Sequence, residues 1–365
     1  MAMNPHLSRT ALRAVCLLAL CAGGAAVRAP AADAPTVRVE NIRRAFHNGE
    51  HNAFTDLIRW RGRFWLAFRS CPDGHGVFPT ASVIVLASDD ARSWHQMHRF
   101  SVPDRDTRDP HFLIFRDQLF VYTGAAYVGK EKIRGTEWNA HYGYASWTAD
   151  GATWAKPQAL EGTYGHYIWR AAACGDRAYL IGRRWRGHMP ASGRASMECA
   201  LLESDDGLRW RFRSLIQETD GNETALLFEP DGTLLALSRT SADHAVLGRA
   251  RPPYETWQRE KLPGYLGGPV LARWGDRFLV GGRRRAEDPT PTGSGPGRGI
   301  TTLLWLEGAQ LVPIATLPSG GDTSYPGFVA LDERRGLVSW YSTHEQDAAG
   351  KPITAIYVAD LVRTP

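Results

Sequence analysis

Cysteine is scarce in this chain, an excess of either charge is missing, and no apolar run is long enough to hold a bilayer. Of the five cysteines, Cys16 and Cys21 lie in the N-terminal segment, leaving Cys71, Cys174 and Cys199. Three scattered thiols are too few for a disulfide scaffold or a thiolate zinc site; an oxidising compartment would permit a Cys174–Cys199 bridge, but free thiols are the expectation. Lys and Arg number 43 against 38 Asp and Glu, a formal net charge of +5. The longest apolar run, Ala14 to Val27, is too short for a stable membrane anchor. Arg9 and Arg13 precede it and Ala29-Pro30-Ala31 follows, so residues 1–31 read as a secretory signal peptide, with the mature chain starting near Ala32. Loss of that segment removes three arginines and brings the charge to about +2, which implies no basic face and no nucleic-acid partner. The expected location is secreted or periplasmic, with no membrane association after cleavage.

What the sequence has in quantity is repetition. Six segments share one template of apolar strand, tight polar turn and second apolar strand: AFTDLIRWRGRFWLAFRS, RDPHFLIFRDQLFVYTG, YIWRAAACGDRAYLIGRR, ETALLFEPDGTLLALSRT, GGPVLARWGDRFLVGGRR and YPGFVALDERRGLVSWYS. Their turns begin at Arg61, Arg116, Gly175, Asp231, Gly275 and Glu333, spaced 55, 59, 56, 44 and 58 residues apart. That interval suits one four-stranded sheet per repeat, and the expected fold is an all-β, six-bladed β-propeller over residues 36–365. In phase with the hairpins run SDDARSW (88–94), TADGATW (148–154) and SDDGLRW (204–210), with a degenerate trace in YETWQR (254–259). These have the form of Asp boxes, turns in which a carboxylate accepts backbone amides while the Trp packs on its blade. The first carries Ala91 where the others carry Gly. The stretch AEDPTPTGSGPGRG (286–299) reads as one long mobile loop rather than a linker.

Equivalent positions of the repeat can be compared directly. Eight residues before each turn stand Ala53, Arg108, Tyr167, Glu223, Gly267 and Tyr325; eight after it stand Arg69, Gly124, Arg183, Arg239, Arg283 and Tyr341. In a propeller both columns meet at one mouth of the central channel. They hold Arg, Tyr, Glu and small residues, without the Lys, Ser and Asn of ordinary surface. Arginine forks suit a carboxylate, sulfate or phosphate, although any one of them could as readily pair with a framework acid such as Asp56, Asp109 or Glu223.

Asp boxes on six blades, a hairpin running from Glu223 to Arg239, and the late segment SYPGFVALDERRGLVSWYS together resemble the sialidase superfamily over most of the mature chain. The resemblance implies a retaining exo-glycosidase in which Tyr325 is the nucleophile and Glu223 draws off its proton. It implies Arg239 and Arg283 as two of three arginines that hold a substrate carboxylate, and an acid on the loop after the first hairpin, Asp73 in SCPDGHG, with Asp56 as its rival. The third arginine is missing: the family opens its first inner strand with Arg-Ile-Pro, and here Ala53-Phe54-Thr55 stands there. Arg69 or Arg108 is then expected to reach into the gap, and the substrate is expected to be an anionic sugar other than an ordinary sialoside. Arg170, His51, His166 and Tyr341 complete the candidate substrate contacts.

No cofactor or metal is expected. His51, His111 and His166 fall near channel entries, but they lie on separate blades without ligand spacing. Two other readings stay open. One is a polysaccharide lyase, in which Tyr167 with His166 removes a proton beside a uronate carboxylate; the other is a propeller that binds glycans without turnover. The sugar, the linkage and the oligomeric state are not legible.

Overall fold

The computed structural model describes residues 36–129, 141–186, 197–285 and 299–364. The expected signal peptide lies outside the described residues, as does the expected loop at 286–299 except for Gly299, which opens the strand Gly299–Glu307. Among the described residues, twenty-four strands form six four-stranded antiparallel sheets, so the all-β six-bladed propeller is what the chain builds. The inner strands are β2 (His51–Trp60), β6 (Arg105–Phe115), β10 (Tyr167–Cys174), β14 (Thr224–Phe228), β18 (Gly267–Trp274) and β22 (Thr323–Ala330), one per blade, I to VI, packed side by side around the channel. Each pairs with the strand after its tight turn, as the repeat template requires. The ring is closed by the two ends of the chain. Blade VI has the order β22, β23 (Arg335–Gln346), β24 (Pro352–Arg363), β1 (Val37–Phe46), with Val37 opposite Arg363 and Phe46 opposite Ile356. A ladder of backbone hydrogen bonds thus ties the first described strand to the last, so the final blade has no unpaired partner to lose.

The Asp boxes fasten neighbouring blades. In each, one carboxylate oxygen accepts two backbone amides at 2.8 Å: Asp90 from Arg92 and Ser93, Asp150 from Ala152 and Thr153, Asp206 from Leu208 and Arg209. Ala91 adopts the left-handed conformation of the Gly it replaces, with φ 56° beside 81° at Gly151 and 80° at Gly207. The Gly151 backbone lies against Trp65 of blade I, and Tyr122 of blade II donates its hydroxyl to the Gly207 carbonyl at 2.9 Å. In the degenerate copy, the Trp257 indole donates to Ser214 Oγ of blade III at 2.9 Å. Between blades V and VI the fully buried Trp274, Trp305 and Trp340 fill the seam. Cys71, Cys174 and Cys199 are free thiols, so the Cys174–Cys199 bridge does not form.

The feature that positions the site is a β-bulge shared by five inner strands. Register shifts fall between Ala53 and Asp56, Arg108 and His111, Ile168 and Ala171, Gly267 and Val270, and Ser324 and Gly327. At each, two residues oppose one: Phe54-Thr55, Asp109-Pro110, Trp169-Arg170, Gly268-Pro269 and Tyr325-Pro326. Three of the pairs end in Pro, which a strand tolerates at a bulge because no ladder donor is needed there. Phe54, Asp109, Gly268 and Tyr325 take positive φ of 62°, 49°, 58° and 51°. The bulge turns these residues out of the strand's alternation and into the channel mouth. It also corrects the register expected for blade VI: Ser324, not Tyr325, pairs with Tyr341. Tyr325 reaches the mouth as the bulged residue, not as a member of the Glu223 column.

Candidate active site

Glu223 ends the turn before β14 and is buried, and its carboxylate is the hub of the mouth. Oε1 accepts the Tyr325 hydroxyl at 2.6 Å, Arg239 Nη1 donates to both oxygens at 2.9 Å, and the Gly268 amide donates to Oε2 at 2.8 Å. Gly268 is needed for that contact: with φ 58°, a Cβ there would lie 2.8 Å from the Tyr325 ring. Burial pushes the Glu223 carboxyl up, but the Arg239 charge and the hydrogen bonds from Tyr325 and Arg239 outweigh it and hold it at about 2. Burial, reinforced by the Glu223 charge, pushes the Tyr325 phenol well above its ordinary 10, with Arg239 and Arg283 pulling the other way. The proton therefore rests on Tyr325, facing an ionised acceptor. Arg239 Nε is buried without a hydrogen-bond partner, and Arg283 lies over the Tyr325 ring at 5.6 Å. Arg239 and Arg283 thus both bring their charge to bear on the phenol, an arrangement suited to an anion at the mouth.

A second cluster adjoins the first. Asp322, three residues before Tyr325, accepts the Tyr341 hydroxyl on Oδ1 at 2.8 Å, while Oδ2 faces His51 Nε2 at 2.9 Å and His75 Nδ1 at 2.5 Å. Arg283 Nη1 stands 3.9 Å from Oδ1. Burial opposes ionisation of Asp322, but these histidine and tyrosine contacts hold its carboxyl far below the usual range. Phe54 packs between the clusters, edge-on to Tyr325 (4.9 Å), Tyr341 (5.4 Å) and His75 (5.4 Å).

The expected residues divide sharply. Tyr325, Glu223, Arg239 and Arg283 come together at one mouth, and Tyr341 and His51 join them through Asp322. Asp56 does not reach the mouth. It lies one layer below the bulges, held by Arg170 Nη1 at 2.8 Å and the Phe112 amide at 2.9 Å, with His111 Nδ1 at 3.5 Å. Burial raises its carboxyl, yet Arg170 and His111 hold it at about 2, so it has no proton to give. Arg170 is likewise a floor residue rather than a substrate contact, since Nε and Nη2 donate to the carbonyls of Pro269 and Pro326 at 3.0 and 2.9 Å. Asp73 is exposed and turned to Thr80 Oγ1 at 2.5 Å.

Arg69 and Arg108 do not fill the gap left at Ala53. Arg69 is fully buried against Asp106 and donates to the carbonyls of Gly74 and Gly76 at 3.0 and 2.8 Å. Arg108 pairs with the same Asp106 and donates to the carbonyls of His75 and Gly76 at 3.0 and 2.6 Å. Both clamp the loop that carries His75. His166 turns to the Tyr164 carbonyl and Arg184, and Tyr167 gives its hydroxyl to Asp109 at 2.6 Å, so the Tyr167–His166 pair is not assembled. Nor do His51, His111 and His166 meet; the donors that converge are those of His51, His75 and Asp322, within 4.8 Å of one another.

Asp322, His75 and Phe54 were not among the expected site residues, and Asp109, expected only as a framework acid, also stands at the mouth. Burial raises the Asp109 carboxyl, against the pull of Arg108, and its Oδ1 is buried without a hydrogen-bond partner. The signal for Asp109 and Tyr325 was present in the dipeptides Asp109-Pro110, Gly268-Pro269 and Tyr325-Pro326, which mark bulges at repeat-equivalent places. Asp322 and His75 sit on connections outside the repeat and left no such mark. A cleft of ≈ 280 Å³, lined by Glu229, Arg249, Asp276 and Arg277, lies at the hairpin-turn end, away from this chemistry.

No protein-family model and no curated protein sequence matches the chain. Solved structures do. A protein of unknown function from Dyadobacter fermentans is 20% identical with a TM-score of 0.73, covering 91% of this chain and 100% of its own. The Trypanosoma rangeli sialidase in complex with the inhibitor DANA is 13% identical with a TM-score of 0.62, covering 90% of this chain and 59% of its own, so this chain spans about three fifths of that enzyme. The phage phi92 endosialidase is 9% identical with a TM-score of 0.65, covering 89% and 69%. With six blades closed by β1 and β24 and these structural neighbours, the chain has the fold of a sialidase-like β-propeller.

Proposed function

We propose that the chain is an exported retaining exo-glycosidase that removes terminal anionic sugars from glycans, with Tyr325 as nucleophile and Glu223 as its base. The observation that carries this reading is the buried 2.6 Å hydrogen bond from Tyr325 to Glu223, flanked by Arg239 and Arg283. A phenol far above its ordinary pKa is a poor nucleophile until its proton has somewhere to go. Glu223 is a weak base while Arg239 neutralises it. A substrate anion that draws Arg239 toward itself lowers that neutralisation and raises the basicity of Glu223 when the bond to the anomeric carbon forms. Arg239 and Arg283 then serve both binding and timing. A neutral phenol meets the anion at rest with less repulsion than a carboxylate nucleophile would, which fits a sugar whose acid group lies beside the reacting carbon.

Export rests on the N-terminal segment, with its Arg9 and Arg13 followed by an apolar run. The absence of an arginine at Ala53 supports an anionic sugar other than an ordinary sialoside. The test is a panel of 4-methylumbelliferyl glycosides of ulosonic and uronic acids, read for fluorescence, beside a panel of anionic and neutral glycans that includes 4-linked uronate oligosaccharides, read for reducing ends and for unsaturated, ultraviolet-absorbing products. Hydrolysis with retained anomeric configuration in the first product supports the reading. Unsaturated products would favour elimination, and tight glycan binding without turnover would favour a lectin.

A further inference from the structure

We propose that His75 is the proton donor and acceptor of this site, with Asp322 as the residue that positions it; the inference rests on the glycosidase reading above. Breaking a glycosidic bond to an ordinary sugar or alcohol requires a proton on the departing oxygen, and neither expected carboxyl is placed to give one. Asp56 is an ionised floor residue, and Asp73 is turned to Thr80. The same loop, however, carries His75 to the mouth.

Three observations define its task. His75 Nδ1 meets Asp322 Oδ2 at 2.5 Å, which assigns the Nδ1–H to the carboxylate and leaves Nε2 as the working nitrogen, the division of labour of an Asp-held imidazole. The side chain is 53% exposed, which leaves the ring accessible from outside, while the backbone beneath it is fixed by Arg108 on the carbonyls of His75 and Gly76 and by Arg69 on those of Gly74 and Gly76. Phe54 touches both His75 and Tyr325 edge-on, so the donor and the nucleophile share one aromatic neighbour. Asp322 is itself held by Tyr341 and His51, with Arg283 near its other oxygen. The charged and titratable groups that face His75 are therefore Asp322, His51, Arg108 and, across Asp322, Arg283 and Tyr341.

A metal ion bound by His51, His75 and Asp322 is the competing use of the same atoms. Ligands of one tetrahedral ion at about 2.0–2.2 Å stand about 3.3–3.5 Å apart. Contacts of 2.5 and 2.9 Å to a single carboxylate oxygen are hydrogen bonds, so the geometry favours the dyad.

Protonated His75 gives its Nε2 proton to the glycosidic oxygen as that bond breaks and Tyr325 Oη joins the anomeric carbon, its own proton passing to Glu223. Neutral His75 then takes a proton from water as the water oxygen attacks the anomeric carbon. The Tyr325–carbon bond breaks, and Glu223 returns the proton to the phenolate.

Leaving-group dependence tests this. His75→Gln and His75→Asn are compared with wild type on a methyl glycoside and a 4-methylumbelliferyl glycoside of the same sugar. Both variants lie on an exposed loop side chain and are expected to fold. The expected result is a fall in kcat/KM of about 10²-fold or more on the methyl glycoside, against less than about tenfold on the activated one, together with loss of the alkaline limb of the pH profile. Equal losses on both substrates, or an Asp109→Asn variant that takes over this signature, would overturn the dyad while leaving the hydrolase standing. A stoichiometric transition metal in wild type, lost in His75→Gln and needed for turnover, would overturn it in favour of the ion. If wild type hydrolyses neither substrate in the glycoside panel, the glycosidase reading falls and takes the dyad with it.

Discussion

Replacing Tyr325 with Phe removes one oxygen from the centre of the mouth, and the structure gives the size of each consequence. Glu223 loses the hydroxyl at 2.6 Å but keeps Arg239 Nη1 on both oxygens and the Gly268 amide on Oε2, so no buried carboxylate oxygen is left bare. The ring contacts to Phe54, Trp169 and Tyr341 are those of the ring itself and survive. The stability cost is then one hydrogen bond to a charged group with its partner still satisfied, about 1.5–3 kcal/mol. For a chain of this length at about 2.1 cal/mol/K per residue, that is a Tm shift of about 2–4 °C. Activity has no such cushion. With the nucleophile gone, turnover should fall by a factor on the order of 10³ or more. Differential scanning calorimetry reads the first quantity and hydrolysis of a fluorogenic glycoside the second; an activated fluoro-sugar should add its mass to the Tyr325 peptide of wild type and to no peptide of the variant. A Phe variant that keeps a tenth or more of wild-type activity per folded molecule would refute the nucleophile assignment.

Glu223→Gln should lower turnover by about 10²-fold or more, and because Arg239 loses its counter-charge it should also cost about 3–5 kcal/mol, or about 4–7 °C in Tm; unchanged turnover with lost stability would make the Glu223–Arg239 pair purely structural. Arg239→Lys keeps the charge but loses the planar fork, so KM for an anionic substrate should rise, and an unchanged KM would remove Arg239 from the binding site. Arg170→Met leaves Asp56 buried without its cation and should destabilise by about 3–5 kcal/mol, seen as a lower urea midpoint; a stable variant with a raised KM would return Arg170 to substrate binding. Asp56 has its carboxyl held at about 2 in the fold against 3.8 unperturbed, so its stabilising contribution is whole above about pH 4 and is lost as pH falls through 2. The Tm gap between wild type and Asp56→Asn should accordingly close between pH 4 and pH 2, and an equal gap at pH 2 and pH 6 would contradict the buried ion pair.

The sequence by itself determined the blade count, because each blade is a local unit whose turn and Asp box recur within one chain segment. It determined the Glu223–Arg239 hairpin as well, since antiparallel pairing across a tight turn brings the two ends of a segment together. The floor assignments went the other way. Whether Asp56 and Arg170 face substrate or each other depends on where strands of blades I and III sit across the channel, a relation carried by no local pattern. Ring closure decided the second cluster too: Asp322 meets His51 and His75 only because blade VI closes beside blade I, with β1 and β24 as the clasp. Tyr325 needed both levels. Its dipeptide with Pro326 encodes a bulge locally, but only the converging spokes turn that bulge toward Glu223, because a carboxylate more than a hundred residues away in the chain is near in space only when the circle is complete.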